Sequence, residues 1–176
     1  MSGHNKWSKI KHKKAVTDAR RSKIFSKLLR SITTEAKLAN GNTNSPNLRS
    51  AIERARKENV PNDNIERAVK KGMSPDTGAM EAITYEAYGP GGAGLIIEAL
   101  TDNKNKAAQE VKFILSSHNS SLGAIGSVAW AFKKEGVEWI PTQTTPISEE
   151  DGEKLSRLID DLEENDEVQN VYTNAE

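Results

Sequence analysis

Apolar residues recur at helical spacing through the first part of the chain. The longest such run covers residues 17–39, with Thr17 or Asp18 as the expected N-cap. Two shorter runs, at 47–58 and 62–71, are separated from it and from each other by turn-forming Asn, Gly and Pro residues. Short amphipathic helices bury their apolar faces against one another, so the pattern predicts a domain of three helices.

Beyond residue 80 the apolar period changes to that of strands. Residues 83–88 alternate between apolar and polar, GlyProGlyGly at 89–92 is typical of a hairpin turn, and a second strand is predicted at 94–101. The remaining predicted elements are a helix, two strands, a helix and a strand, at 104–118, 127–133, 137–141, 149–164 and 167–173. We therefore predict an α+β fold, in which the three-helix domain precedes a ferredoxin-like βαββαβ domain with one extra leading strand.

The charged residues divide the chain further. The formal net charge is zero, yet residues 1–72 contain 18 Lys and Arg against 6 Asp and Glu, whereas residues 73–176 contain 7 against 19. Like charges repel one another, so a basic half of this density indicates a polyanionic partner. Four segments are predicted: a basic arm, a basic helical domain, a linker and an acidic α/β domain, at 1–16, 17–72, 73–80 and 81–176.

Ten of the basic residues lie near the N-terminus with a single carboxylate, Asp18, among them. Together with an aromatic residue and a histidine, they form the predicted nucleic-acid-binding site: Lys6, Trp7, Lys9, Lys11, His12, Lys13, Lys14, Arg20, Arg21, Lys23, Lys27 and Arg30. At helical spacing Arg20, Lys23, Lys27 and Arg30 fall opposite the apolar side, so one face of the first helix packs and the other is available to phosphates.

Trp7 has two interpretations that the residues leave open. Between Lys6 and Lys9 it is suited to stacking on an unpaired base, which favours RNA or distorted DNA, and it is equally suited to anchoring the arm on the helical domain. No helix has the spacing of a sequence-reading motif. Because phosphate contacts position a protein without conveying base sequence, the pattern supports affinity better than specificity.

The sequence contains no recognisable pattern for metal binding, cofactor binding or catalysis. Cysteine is absent and the three histidines lack partner ligands at any zinc spacing, so we predict no metal and no cofactor. GlyProGlyGly lacks the Lys-Ser/Thr of a P-loop, and no nucleophile with a positioned base is recognisable, so we predict neither an enzyme nor a small-molecule substrate. The apolar runs are too short to cross a bilayer, which predicts a cytoplasmic protein without a membrane partner.

Seven blocks of sequence, in the same order along the chain, resemble the YebC/PmpR family. They are GHNKWSKIKHKK, KIFSKLLR, VPNDNIERA, YEAYGPGG, EALTDNKNK, GSVAW and DEVQNVYTN, at 3–14, 23–30, 60–68, 85–92, 98–106, 126–130 and 166–174. The resemblance implies a helical N-terminal domain, a cytoplasmic location in bacteria and no enzymatic activity. It implies one of two regulatory functions, a transcriptional regulator that binds DNA or a ribosome-associated translation factor that binds ribosomal RNA.

The chain departs from the family pattern at one place. The family's α/β region has two lobes with the outer lobe inserted into the inner one, and here the sequence passes through Glu138 and Trp139 almost directly to the segment that follows the insertion. We therefore expect that the outer lobe is missing near 138–140. A third function class follows from the charges alone, a protein–protein scaffold whose basic half pairs with acidic partners.

Overall fold

The computed structural model describes residues 18–75 and 78–176, with side chains from residue 20 onward. The described residues form two compact units, which divide in sequence between Glu81 and Ala82. The predicted basic arm at 1–16 lies outside the described residues.

The first unit consists of three helices, as the apolar period predicts. Helix α1 covers Asp18–Leu38, α2 covers Pro46–Lys57 and α3 covers Asn62–Met73. Beside the buried Thr33, their shared core is formed by the apolar residues Ile32, Ala36, Leu48, Ala51, Ile52, Ala55, Val60, Ile65 and Ala68. Every charged side chain that the structure describes in this unit is half-buried or exposed.

Asparagine residues end the first two helices. After α1, Asn40 adopts φ +49° and the N–H of Gly41 donates to the carbonyl of Ala36 at 2.8 Å. After α2, Asn59 adopts φ +61° and the N–H of Val60 donates to the carbonyl of Ala55 at 3.0 Å. A left-handed residue at this position lets the next N–H satisfy a carbonyl of the last turn, and only Gly and Asn adopt that conformation readily.

Helices α1 and α3 approach closely at Gly72. A Cβ atom on Gly72 would lie 2.4 Å from the carbonyl oxygen of Thr33 and 2.8 Å from the Cβ of Ala36. The hydroxyl oxygen of Thr33 lies 3.0 Å from the carbonyl oxygen of Leu29 and 3.2 Å from that of Ala68 on α3, and its single proton is shared between these two acceptors. Small residues therefore allow backbone-level contact between the two helices, and a buried hydrogen bond joins them.

The second unit contains the strands and two further helices. Its elements are β1 (Glu81–Tyr88), β2 (Gly94–Thr101), α4 (Lys104–Ser117), β3 (Ser121–Leu122), β4 (Phe132–Glu135), β5 (Glu138–Pro141), α5 (Glu149–Glu164) and β6 (Val168–Thr173). Four strands form one sheet in the order β3-β1-β2-β6, and β4 pairs with β5 in a separate antiparallel hairpin. The predicted α+β class, with helices first and an antiparallel sheet after them, is confirmed.

The predicted strands differ most from the structure at 127–133, and the prediction does not include the short strand β3. The sequence predicts a strand at 127–133, whereas β4 begins at Phe132 and Ala129–Ala131 form a 3-10 turn. The reason is a distant carboxylate, because Glu86 accepts the backbone N–H groups of Val128 and Ala129. Those donors are no longer available to a strand ladder, so pairing starts only after the turn.

Strand β2 is buried on both faces of the main sheet. Leu95 and Ile97 face the core that α4 and α5 complete with Val111, Leu115 and Leu158. On the opposite face, Ile96 packs in a smaller cluster formed with Val128, Ala131, Phe132 and the half-buried Trp139. The β4–β5 hairpin and the turn before it thus cover the second face of the sheet.

Candidate nucleic-acid interface

The structure describes five of the twelve predicted site residues, and all five lie on α1. Arg21 is exposed, whereas Arg20, Lys23, Lys27 and Arg30 are half-buried. At 100° per residue these four lie on the side of α1 opposite Ala36, which is fully buried in the core. The other seven predicted residues lie outside the described residues: Lys6, Trp7, Lys9, Lys11, His12, Lys13 and Lys14.

Helices α2 and α3 add basic residues that are absent from the predicted site. Between the buried apolar positions of these helices, seven cationic side chains are exposed: Arg49, Arg54, Arg56, Lys57, Arg67, Lys70 and Lys71. The helical period that locates the core also identifies them, since exposed positions are those out of phase with buried ones. Charge density alone misses them, because they are spread over two helices rather than gathered in one run.

Several of these side chains also stabilise their own helices. Arg54, Arg56 and Lys57 lie in the last turn of α2, and Lys70 and Lys71 lie in the last turn of α3. Cations are favoured at a helix C-terminus, where the carbonyl groups give partial negative charge. Helix stability alone can therefore explain why a cation lies at each of these positions. The total number of exposed cations is better evidence for phosphate binding than any single position.

The two units differ in their balance of charge. Residues 18–75 contain 13 Lys and Arg against 6 Asp and Glu, and residues 81–176 contain 7 against 18. In the α/β unit most lysines already lie within 4 Å of a carboxylate: Lys106 near Glu110 and Glu167, Lys133 near Glu135, Lys134 near Glu98 and Lys154 near Glu150. The surplus of cations, and so the attraction for phosphate, belongs to the helical unit.

The α/β unit contains one carboxylate with an unusual structural role, that of Glu86. Its Oε1 accepts the N–H of Gly126 at 2.7 Å, and its Oε2 accepts the N–H groups of Val128 and Ala129 at 2.7 and 2.8 Å. The residue is buried. Three charge-assisted bonds from one short segment fix the backbone on both sides of Ser127.

These contacts set the ionisation of Glu86. Burial alone raises the pKa of this carboxyl, but the N–H groups of Gly126, Val128 and Ala129 favour its charged form, and the resulting pKa is below the ordinary Glu value. A depressed folded-state pKa means that the carboxylate stabilises the fold at pH values above the ordinary pKa of Glu. That contribution disappears as the pH falls through the folded-state pKa.

Replacing Glu86 by Gln tests this role. A Gln side chain offers one acceptor oxygen in place of two and turns an NH₂ group toward at least one of the three N–H donors, so we expect a loss of about 2 kcal/mol in the free energy of unfolding at pH 7. Denaturant unfolding measures it, with exposed Glu138→Gln as the control, for which we expect a change below about 0.5 kcal/mol. Equal stability of Glu86→Gln and the wild type at pH 7, or a difference that persists in acid, would contradict the assignment.

The described residues contain neither a metal-binding cluster nor a membrane-spanning helix. Within residues 18–75 and 78–176 no group of three or more His, Asp and Glu residues is placed to hold a metal ion. No helix in the same ranges combines the length and apolarity that a membrane crossing requires.

Comparison with known proteins matches nearly the whole chain. A family model described as the TACO1/YebC protein N-terminal domain matches residues 5–74, and one described as the TACO1/YebC second and third domain matches 80–138 and 134–175. A probable transcriptional regulatory protein of Thermoanaerobacter pseudethanolicus is 40% identical over 240 residues, covering 100% of this chain and 97% of the relative. One of Desulfosudis oleivorans is 45% identical over 184 residues, covering 100% of this chain and 72% of the relative.

A solved structure has the same fold. The crystal structure of a conserved hypothetical protein from Aquifex aeolicus superposes with a TM-score of 0.86 at 32% sequence identity, covering 98% of this chain and 97% of that chain. The name of that protein states no function. The structural likeness therefore supports the fold, and the sequence relatives carry the functional description.

The matches also indicate where the family pattern is interrupted in this chain. The two matched pieces of the second and third domain meet at 134–138, in the β4–β5 hairpin. The alignment with the Thermoanaerobacter relative spans 240 positions, whereas this chain has 176 residues, so at least 64 positions have no counterpart here.

Proposed function

Because the chain belongs to the TACO1/YebC family, we propose that it is a non-enzymatic, cytoplasmic regulator of gene expression that binds nucleic acid through its basic N-terminal half. The relatives are named probable transcriptional regulatory proteins. The observation that carries the proposal is the division of charge, 18 Lys and Arg against 6 Asp and Glu in residues 1–72. A polyanion relieves the mutual repulsion of such a cluster.

The binding follows from counterion release. Each phosphate that a Lys or Arg neutralises sets free a condensed cation, so affinity is gained from the entropy of released ions and falls as salt is added. The predicted site on the arm and α1 contributes the densest charge. We assign the exposed cations of α2 and α3 a supporting role as further phosphate contacts.

Of the two nucleic acids, we propose RNA, and specifically ribosomal RNA, as the preferred target. The sequence offers no helix with the spacing of a base-reading motif, which removes the usual means of recognising duplex DNA. Trp7 among lysines suits an unpaired base, and unpaired bases are the usual target of RNA-binding proteins. The names of the relatives favour transcription, so duplex DNA is the competing outcome.

We further propose that the β4–β5 hairpin replaces the inserted outer lobe of longer relatives. Glu135 and Glu138 close the hairpin as a pair, and Gly136 between them adopts φ +60°. Phe132 and Trp139 of the hairpin pack on the main sheet, so this unit buries the second face of the sheet without further chain. Any activity of the outer lobe is then absent from this protein.

Fluorescence anisotropy with a ribosomal RNA fragment and a duplex DNA of equal length tests the proposal. At about 0.05 M salt, where phosphate attraction is weakly screened, we expect binding to both, with the RNA bound more tightly. Tighter binding to the duplex would overturn the preference for RNA. An absence of binding to either probe at that salt concentration would overturn the proposed function.

Two measurements separate the remaining alternatives. Co-sedimentation from lysate places a ribosome-associated factor with the ribosomes and a transcriptional regulator with the nucleoid. A scaffold that pairs its basic half with the acidic half of another copy self-associates at low salt in nuclease-treated samples. We expect the ribosomal fraction and a constant molecular mass, and self-association without nucleic acid would favour the scaffold instead.

A further inference from the structure

Two aromatic side chains of the α/β unit are exposed beside the loop that Glu86 holds. Trp130 is 69% exposed and Tyr88, at the end of β1, is 42% exposed. Ile125 in the same loop is 99% exposed. We call Tyr88 and Trp130 the aromatic platform. Trp139 differs from them, since it is half-buried in the cluster under the β4–β5 hairpin.

The polar atoms of the aromatic platform are already used. The hydroxyl of Tyr88 donates to the carbonyl of Ser127 at 2.9 Å, and the indole Nε1 of Trp130 donates to the same carbonyl at 2.9 Å. The two polar ends therefore lie within two hydrogen-bond lengths of each other. What the rings have left to offer a ligand is their faces and apolar edges, which suits stacking rather than hydrogen bonding.

The carbonyl that holds both rings is itself fixed. Glu86 binds the backbone N–H groups on either side of Ser127, at Gly126 and Val128. At Gly123 a Cβ atom would lie 2.4 Å from the Ser127 hydroxyl oxygen and 3.2 Å from Cε2 of Tyr88, so glycine allows the loop to close onto the ring. A ligand that stacks here meets a surface that is ordered in advance, and little conformational entropy is lost on binding.

The sequence that contains Trp130 differs in charge from the rest of the unit. Residues 81–176 contain 18 Asp and Glu, yet none of them falls within 111–134, a stretch that includes Trp130 and three lysines, Lys112, Lys133 and Lys134. The nearby carboxylate of Glu86 faces three N–H groups rather than the platform. This stretch therefore adds no negative charge of its own beside Trp130, although Lys133 and Lys134 are paired with Glu135 and Glu98 and the unit as a whole repels phosphate.

From these observations we propose that the aromatic platform stacks an unpaired base of a single-stranded nucleic acid. The proposal rests on the proposed function, because the basic N-terminal half supplies the general attraction and the platform adds a contact to a base. Stacking is tolerant of sequence, since every base has a π-face. The platform thus favours single strands over duplexes without reading a sequence.

Replacing Trp130 by Ala tests the platform with two probes, a fluorescent uridine oligomer of about 12 nucleotides, within the length that single-strand sites cover, and an abasic oligomer with the same number of phosphates. Stacking on one base is worth about 1–3 kcal/mol, so we expect the affinity for the uridine oligomer to fall by about 5- to 150-fold. The affinity for the abasic oligomer and the slope of log affinity against log salt should stay unchanged, because the phosphate contacts are all retained.

Control variants distinguish loss of stacking from loss of an exposed aromatic ring elsewhere and from unfolding. Phe113→Ala removes an aromatic ring that is 74% exposed on α4, outside the platform, and should leave both affinities unchanged. Trp130→Phe keeps a stacking ring without the indole donor and should retain most of the affinity for the uridine oligomer. Denaturant unfolding of each variant establishes that it remains folded.

The outcomes distinguish the two proposals. If the wild-type protein binds neither oligomer, the proposed function fails. If the wild type binds both and Trp130→Ala binds the uridine oligomer equally well, the platform proposal fails alone. Loss of ribosome co-sedimentation in Trp130→Ala with unchanged oligomer affinity would assign the platform to a protein contact and overturn base stacking.

Discussion

Replacing Lys11, Lys13, Lys14, Arg20 and Arg21 together by Gln is expected to lower the affinity for nucleic acid by about a hundredfold or more at about 0.15 M salt. These five cations belong to the segment in which only one carboxylate accompanies ten basic residues. Removing a single phosphate contact reduces the slope of log affinity against log salt by about 0.7 to 0.9. A titration series at several salt concentrations therefore shows a smaller slope as well as weaker binding.

A control with the same change in net charge separates local contacts from a general field. Five exposed cations of the α/β unit serve for it, as Gln variants of Lys104, Lys106, Lys112, Lys154 and Arg157. We expect this protein to bind with an affinity within about threefold of the wild type, since these cations are not part of the proposed site and exposed charges are screened at moderate salt. A loss of affinity as large as that of the first variant would show that net charge alone drives binding and would contradict a site on the arm and α1.

Replacing Gly72 by Val is expected to destabilise the helical unit by about 3 kcal/mol or more. The new Cβ would lie 2.4 Å from the backbone oxygen of Thr33, which has little freedom to move because it belongs to α1. Overpacking of this kind costs about 1–3 kcal/mol, and a branched side chain adds atoms beyond the first clash. Urea unfolding followed by the helical signal measures the decrease in stability.

The exposed residue Glu66 on the same helix provides the matched control. Glu66→Val introduces the same branched side chain, with its modest helix penalty of below about 1 kcal/mol, but meets no neighbouring helix. If the two variants lose equal stability, then the close approach of α1 and α3 contributes nothing and the packing described for Gly72 is wrong.

The helical unit is the part that local sequence determines best. The three predicted helices, at 17–39, 47–58 and 62–71, match α1, α2 and α3 within two residues at each end. The apolar period within each helix and the turn-forming Asn, Gly and Pro residues between helices are both visible within a few residues of sequence. The contact between Thr33 and Gly72 is different in kind, since nothing near either residue indicates the other.

Long-range contacts explain why the α/β unit departs from its predicted strands. Glu86 lies 40 residues from Gly126, and its carboxylate determines where β4 begins. Only 132–133 of the strand predicted at 127–133 belongs to β4, because the local sequence does not show that the N–H groups of Val128 and Ala129 have another acceptor. The position of Trp130 beside Tyr88 depends on the same contact, so local sequence does not predict it either.

The sequence predicts only part of the candidate site, because some of its basic residues are not clustered along the chain. Charge density identifies the arm and α1 directly, because repulsion among like charges is visible in the sequence itself. The exposed cations of α2 and α3 emerge only when burial of the apolar positions is known. Which of these side chains contact phosphate stays a prediction for the variants described above.

Salt dependence of binding is the measurement that tests the central claim most directly. For the wild-type chain and a single-stranded ribosomal RNA fragment, about six phosphate contacts predict a slope of log affinity against log salt of about −4 or steeper. A slope near zero, or an absence of binding at about 0.05 M salt, would contradict the account that the basic N-terminal half holds nucleic acid by its phosphates.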